Sequence, residues 1–108
     1  MTGMCYPAVV ISPNGIRVVA HITARPDRIE ELKAITLALA PPTRQEAGCR
    51  RYEWHQNTAD PTDITCIEEW ESDRALDDHL ASPHVQAALK SVPEVATNVD
   101  IRRYKFLG

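Results

Sequence analysis

The chain of 108 residues has no long apolar run, no excess of positive charge and no C-x-x-C motif. A helix that crosses a membrane needs about 18 or more successive apolar residues, so no membrane span is expected. The net charge of -3 disfavours partners rich in phosphate, so we expect neither nucleic acid nor an anionic membrane surface as a partner. Because the first residues lack a basic segment followed by an apolar stretch, no secretory signal is predicted, and we expect a soluble cytoplasmic protein.

Cysteine is scarce, and the three cysteines are neither even in number nor close in sequence. The spacing of Cys5, Cys49 and Cys66 argues against both a disulfide framework and a cysteine zinc site, and it fits a reducing compartment. A length of 108 residues suffices for one two-layer domain but leaves little room for a deep cavity within a single layer. A ligand is therefore expected between layers or between subunits.

Four segments alternate between apolar and polar residues and are predicted to be strands. In the first, Ile16, Val18, Ala20, Ile22 and Ala24 fall on one side. The others are predicted over residues 49–57, 64–70 and 98–106.

Two segments have helical spacing. The first is predicted to begin at Asp27 and to kink at Pro41 and Pro42, because proline cannot donate a backbone hydrogen bond. The second is predicted to begin after Ser72, whose side chain can accept from the free amides of the first turn. Pro83 ends that helix and starts another, since proline suits the first helical position.

The order strand, helix, strand, strand, helix, strand predicts an α+β class. It is the split β-α-β order of ferredoxin-like folds, with an antiparallel sheet and its helices on one face. Residues 16–108 would form this domain, and residues 1–15 an N-terminal arm with a short strand over residues 8–11. Because one face of such a sheet needs another cover, we expect a homodimer.

A joint sequence pattern carries a family resemblance. E-x-W-E-S over residues 68–72 is followed by H-L-x-S-P-H over residues 79–84, and Gly48-Cys49 and Ala75-Leu76 accompany them. This combination resembles the antibiotic biosynthesis monooxygenase (ABM) domain family, in particular its small bacterial quinol-monooxygenase-type members. The similarity covers about residues 16–106. It implies a dimeric α+β barrel of two facing sheets, with a pocket between sheet and helices in each subunit.

The resemblance also implies a range of activities. Some members use oxygen to turn phenolic or quinol-like polycyclic compounds into quinones without metal or flavin, so no cofactor is expected. Others degrade haem, and one branch isomerises a phosphorylated signalling sugar, so the family alone does not settle the reaction. Haem degradation is disfavoured, because Leu89 and Ala20 stand where haem-binding members have a histidine and an asparagine, and neither side chain can ligate iron.

Three residues are catalytic candidates by this resemblance: His55, Glu68 and Trp70. Trp70 matches a tryptophan that lines the pocket, although it could equally pack in the core. Glu68 is in phase with Trp70, and a desolvated carboxylate there could accept a phenolic proton. His55 matches a histidine beside the pocket and is either a base or a solvated strand residue. Glu68 could instead pair with an arginine, the available ones being Arg17, Arg51, Arg102 and Arg103.

Five further residues are candidates for substrate binding: His21, Cys66, Leu76, His79 and His84. Cys66 and Leu76 replace an asparagine and a tyrosine of the oxygenases, which removes two hydrogen-bonding groups and argues for a different substrate. A nucleophilic Cys66 is disfavoured beside Glu68. His79 and His84 are five residues apart, a spacing that does not place them on one helical face, so no metal site is predicted.

The leading hypothesis is a homodimeric, cofactor-independent oxygenase that acts on a small phenolic or quinol-like compound with molecular oxygen. A non-catalytic or stress-linked protein that binds small aromatic compounds is the second hypothesis. The third is an isomerase of a phosphorylated signalling sugar, which would need cationic side chains aimed at a phosphate. Candidates for that role are Arg17, Arg51 and Arg103.

Overall fold

The computed structural model describes residues 15–108. Its elements are β1 (Ile16–Ala24), α1 (Ile29–Arg44), β2 (Cys49–Gln56), β3 (Asp63–Trp70), α2 (Asp73–Leu80), α3 (Pro83–Val95) and β4 (Ala96–Lys105). The expected N-terminal arm, with its short strand, lies outside the described residues apart from Gly15. No helix within residues 15–108 is long and apolar enough to cross a membrane.

The strands form one antiparallel sheet in the order β2-β3-β1-β4. β1 lies between β3 and β4, so that Ala20 is paired with Cys66 on one side and with Ile101 on the other. The helices pack against one face of this sheet. This is the split β-α-β topology of ferredoxin-like folds, and the predicted α+β class is confirmed.

The core lies between the sheet and the helices because β1 and β3 alternate as their sequences predict. Every second residue of β1, from Ile16 to Ala24, is buried, and so is every second residue of β3, from Ile64 to Trp70. The helix α1 supplies Leu32, Thr36, Ala40 and Thr43 at helical spacing to the same layer.

The opposite surface of the sheet is called here the open face. It carries the side chains that alternate with the buried ones, since paired residues of neighbouring strands share a face. Ile67 on β3 and Tyr104 on β4 are 40% and 46% exposed there. The set also includes Arg17, Val19 and His21 of β1, Arg51, Glu53 and His55 of β2, and Thr65 and Glu69 of β3.

Several element ends differ from the sequence prediction. The helix α1 begins at Ile29, not at Asp27, because the Arg28 amide donates to the Arg25 carbonyl at 2.9 Å and closes a turn across that position. At its other end α1 continues through Pro41 and Pro42 and ends at Arg44. The strand β4 begins at Ala96, two residues before the predicted start at residue 98, and it follows α3 directly, with Pro93 inside that helix.

The junction between β3 and the helices is confirmed in detail. The Ser72 hydroxyl oxygen accepts from the Ala75 amide at 3.1 Å and caps α2. The Ser82 hydroxyl oxygen accepts from the Val85 amide at 3.4 Å and caps α3, with Pro83 in the first helical turn. Two capping serines and one proline therefore set the break between α2 and α3.

Gly48 joins α1 to β2 at a position that other residues fit poorly. Its φ is 85°, a left-handed conformation that costs little only for glycine. A side chain here would also place its Cβ 2.7 Å from the Ala75 Cβ of α2. The Gly48 carbonyl accepts from the Glu71 amide at 2.8 Å, so the position cannot shift without disturbing the end of β3.

Replacing Gly48 by alanine should lower the free energy of unfolding by about 2 to 4 kcal/mol, from backbone strain and from the clash with Ala75. Urea unfolding monitored by circular dichroism measures this loss. In an Ala75→Gly background the clash is absent, so the same replacement should cost only about 1 to 2 kcal/mol. Equal losses in both backgrounds would show that the contact with Ala75 has no effect.

Candidate functional site

A cavity of about 60 Å³ lies between the helix-covered face of the sheet and helices α1, α2 and α3. Most of its lining is aliphatic, including Val18, Leu39, Leu76, Leu80 and Val92. At one end it is bordered by Leu89 of α3 and by Val99 and Ile101 of β4, which are 40 to 43% exposed. These three residues form the mouth of the cavity.

The size of the cavity limits what can enter without movement. An enclosed apolar cavity of about 150 Å³ holds a benzene ring. At about 60 Å³, this cavity admits a ring only if side chains at the mouth turn outward. The Leu89 side chain can do so, because it is already partly in solvent.

A few polar side chains border the cavity, and Glu68 is the acidic one. Glu68 is 5% exposed, and burial raises the pKa of its carboxyl to about 7. Hydrogen bonds from Trp70 and Cys66 partly oppose this rise in pKa, because they favour the charged form. A carboxyl with this pKa exchanges its proton readily at neutral pH.

The arginines that could have neutralised Glu68 bind other acids. Arg17 pairs with Glu69 at 3.1 Å on the open face. Arg103 contacts Asp73 and Asp77 of α2. The remaining two pair within their own strands, Arg51 with Glu53 and Arg102 with Asp100.

Trp70 is a core residue behind Glu68. It is 0% exposed and does not border the cavity. Its indole Nε1–H donates to Glu68 Oε1 at 2.8 Å, and its ring lies 4.6 Å from the His79 ring. Of the two roles expected for Trp70, the structure places it in the core, where it fixes the position of Glu68.

The side chains of Glu46, His79 and His84 converge beside the cavity, and Glu46 was not predicted from the sequence. His79 Nδ1 and His84 Nε2 each lie 2.8 Å from Glu46 Oε2. His79 borders the cavity, and burial lowers its pKa, while the hydrogen bond to Glu46 partly opposes this. The break at Pro83 brings the two histidines together although their spacing in sequence does not suit one helix. Glu46 follows α1 without a periodic signal, so the sequence did not single it out.

The other two histidines lie on the open face, away from the cavity. His55 Nε2 is 3.6 Å from Glu53 Oε1, and the His55 side chain is half exposed. His21 Nδ1 is 2.7 Å from Thr65 Oγ1. Neither can touch a ligand in the cavity of its own chain, so the expectation that they border this pocket is corrected. The reason is the alternation of side chains along a strand. His21 and His55 are both paired with Thr65, and all three side chains lie on the open face.

The two substitutions noted in the sequence have different positions. Leu76 borders the cavity and is 1% exposed. Cys66 is fully buried beside Glu68, and burial raises the pKa of its thiol, so the thiolate is disfavoured as expected. Cys66 does not border the cavity.

Two aromatic residues of β2 border the cavity and were not among the candidates. Tyr52 and Trp54 lie opposite Glu68 and Cys66 in the register of β2 with β3. In β2 these two residues alternate with Glu53 and His55, and they share the face of Glu68. Strand alternation could therefore have identified them. Within residues 15–108, the buried indole nitrogen of Trp54 has no hydrogen-bond partner, although the Tyr52 hydroxyl is close. An unpaired buried donor costs about 1 to 3 kcal/mol, and an acceptor on a ligand would remove that cost.

These features define an α+β protein with a small, mostly apolar cavity that contains a carboxyl of raised pKa. Comparison with known proteins agrees: the model of the family described as "Antibiotic biosynthesis monooxygenase" matches residues 15–91. The chain belongs to this family.

Individual relatives support the assignment. A Mycobacterium tuberculosis protein named "Putative monooxygenase Rv0793" is 37% identical over 82 residues, which are 76% of this chain and 80% of that protein. Its solved structure has a TM-score of 0.83, with 32% identity over 87% of this chain and 96% of that one. The structure of PA3566 from Pseudomonas aeruginosa has a TM-score of 0.85, with 32% identity over 90% of this chain and 98% of that one. Family and relatives together favour a monooxygenase-type function.

Replacing Glu68 by glutamine should change how stability depends on pH. In the folded protein the pKa of Glu68 is raised to about 7 from its ordinary value of 4.5. The stability that the protonated Glu68 carboxyl contributes is therefore fully present below the pKa of the unfolded chain. It is lost as the pH rises through the pKa of the folded protein. Relative to the Glu68→Gln variant, the wild type should lose roughly 3 kcal/mol of unfolding free energy between about pH 4 and about pH 8.

Denaturant unfolding across this pH range makes the comparison. The matched control is Glu71→Gln, which changes an exposed acid near the same strand end. Its pH dependence should run parallel to that of the wild type. If the unfolding free energy of Glu68→Gln also follows that of the wild type across this pH range, burial does not raise the pKa of Glu68.

Proposed function

We propose that this protein is a monooxygenase that oxidises a small phenolic or quinol-like compound with molecular oxygen, and that the oxidation step needs neither metal nor flavin. The observation that carries the proposal is the Glu68 carboxyl, whose pKa is raised to about 7 at the wall of an apolar cavity. Membership of the monooxygenase family supports the reaction class. The substrate class rests on the apolar lining of this cavity, which would admit a flat aromatic ring once the exposed Leu89 side chain turns outward.

The substrate ring would enter past Leu89, Val99 and Ile101 and lie against the aliphatic wall, with Leu76 and His79 among its contacts. Its hydroxyl group would face Glu68. A second oxygen on the substrate could accept from the unpaired Trp54 indole, which favours a quinol-like compound over a simple hydrocarbon.

In the reaction, the ionised Glu68 carboxylate takes the phenolic proton. The resulting phenolate is electron-rich and passes an electron to oxygen inside a cavity that excludes bulk water. For a phenol with a free para position, one oxygen atom enters the ring and the other leaves as water, which gives the quinone. For a quinol no oxygen atom enters the ring: its two electrons and two hydroxyl protons pass to oxygen, which gives the quinone and hydrogen peroxide. Trp70 acts as a positioning residue, because its indole holds Oε1 of Glu68 at 2.8 Å.

A symmetric homodimer through the open face is part of the proposal. The exposed Ile67 and Tyr104, together with Val19, give that face apolar groups that a second copy would cover. Such a dimer would have the dimeric α+β barrel architecture. Its interface would include His21 and His55, which gives both residues a place outside the cavity.

A protein that binds small aromatic compounds without chemistry is the second candidate, and the cavity by itself supports it equally. It predicts thermal stabilisation by the ligand with no oxygen uptake. The isomerase of a phosphorylated sugar loses its support, because Arg17 and Arg51 lie on the open face and Arg103 is held by Asp73 and Asp77. These three arginines do not converge on the cavity.

Oxygen uptake with a panel of hydroquinones and phenols, in metal-free and flavin-free protein, tests the proposal. Glu68→Gln should lower kcat/KM by about 100-fold or more, because the proton acceptor is lost. Ala88→Phe should abolish turnover by filling the cavity from α3. Anaerobic samples should show no quinone formation.

Matched controls separate cavity effects from surface effects. Ala87→Phe adds the same bulk one residue away on the exposed side of α3, and His55→Gln changes a histidine of the open face. Both should stay within about threefold of the wild type. Ligand-dependent stabilisation that Ala88→Phe removes, with no oxygen uptake by the wild type for any compound, would favour the binding protein. Uptake unchanged in Glu68→Gln would remove Glu68 as the base.

A further inference from the structure

A cluster of Glu46, His79 and His84 lies at the junction of three segments and is separate from Glu68. Glu46 follows α1, His79 lies in the last turn of α2 and His84 in the first turn of α3. One nitrogen from each histidine and one carboxylate oxygen all lie within 4.8 Å of one another. We propose that these three side chains bind a divalent transition-metal ion, of the zinc or ferrous iron type.

The distances suit such an ion after a small adjustment. His79 Nδ1 and His84 Nε2 are each 2.8 Å from Glu46 Oε2. Around a tetrahedral zinc ion with bonds of about 2.0 to 2.2 Å, neighbouring ligand atoms are about 3.3 Å apart. Small side-chain rotations open the two contacts to that value, and the ion then replaces the imidazole protons that point at Glu46.

The cluster is held in place by its surroundings. The His79 ring is packed between aromatic residues, with ring centroids 4.6 Å from Trp70 and 5.4 Å from Tyr52. The Ser82 hydroxyl donates to the His79 carbonyl at 2.6 Å and fixes the end of α2. The Glu46 amide donates to the Thr43 carbonyl at 3.0 Å. Ligands fixed in this way lose little freedom when an ion binds.

One side of the cluster reaches solvent. The side chain of His79 is 5% exposed, whereas those of Glu46 and His84 are 17% and 25% exposed. An ion can therefore enter from the His84 side and keep water as a fourth ligand. Three protein ligands and one open position are typical of zinc and iron sites that contact small molecules.

The ligand types indicate the class of ion. Two imidazole nitrogens and one carboxylate oxygen suit zinc and ferrous iron, while magnesium and calcium prefer oxygen ligands alone. Because His79 also borders the cavity, a bound ion would fix part of the cavity wall and tie α1, α2 and α3 together. The proposal does not depend on the oxidation proposed for Glu68.

The test uses the full chain after treatment with a chelator. Isothermal titration with Zn²⁺, and with Fe²⁺ under anaerobic conditions, should show one equivalent bound and a raised melting temperature. Mg²⁺ should not compete. Glu46→Gln and His84→Asn should each weaken binding by at least about 100-fold, while His55→Asn, which changes a histidine of the open face, should leave it unchanged.

A spectroscopic readout identifies the ligands without relying on stability. With Co²⁺ as the probe, the proton spectrum should show two strongly shifted imidazole N–H signals, and His84→Asn should lose one of them. His84 is partly exposed, so this variant should fold, which circular dichroism checks. The proposal is overturned if neither Zn²⁺ nor Fe²⁺ binds stoichiometrically. It is equally overturned if Glu46→Gln and His84→Asn bind as the wild type does, or if His55→Asn weakens binding as much as they do.

Discussion

The burial of one carboxyl group, that of Glu68, is the constraint on which the site depends. Removing a carboxylate from water is costly, and the arginines considered as partners for Glu68 pair with other acids. Glu68 meets this cost by holding its proton up to a pKa of about 7 and by accepting the Trp70 indole hydrogen at 2.8 Å. Because residues two apart in a strand share a face, the buried Trp70 indole lies against the Glu68 carboxyl. This carboxyl can exchange protons at neutral pH beside an apolar cavity.

The second organising feature is the break between α2 and α3. Ser82 and Pro83 end one helix and start the next, which turns His84 back toward His79. The His79 ring then packs on Trp70, so the same tryptophan supports both the acidic group of the cavity and the histidine cluster next to it. The helix break and the strand β3 therefore meet at Trp70, which contacts both His79 and Glu68.

Much of the fold is predictable from the sequence, because its signals are local. The alternation in β1 and β3 and the Ser72 cap need only neighbouring residues, and each is confirmed. The site is less predictable: the family match predicts His55 beside the pocket, whereas the alternation of β2 places Tyr52 and Trp54 on the face of Glu68 and His55 on the opposite face. Glu46 joins the histidines through contacts with residues 33 and 38 positions away, which periodicity cannot reveal.

The most direct measurement is the titration of Glu68 itself. Carbon-13 NMR of glutamate side-chain carboxyls, with the Glu68 signal assigned by its loss in Glu68→Gln, follows this one group through pH. The expected midpoint is a pKa of about 7, and it should rise further in Trp70→Phe, which lacks the indole donor. A midpoint near the ordinary value of 4.5, unchanged in Trp70→Phe, would contradict the buried, tryptophan-held carboxyl on which the proposed chemistry rests.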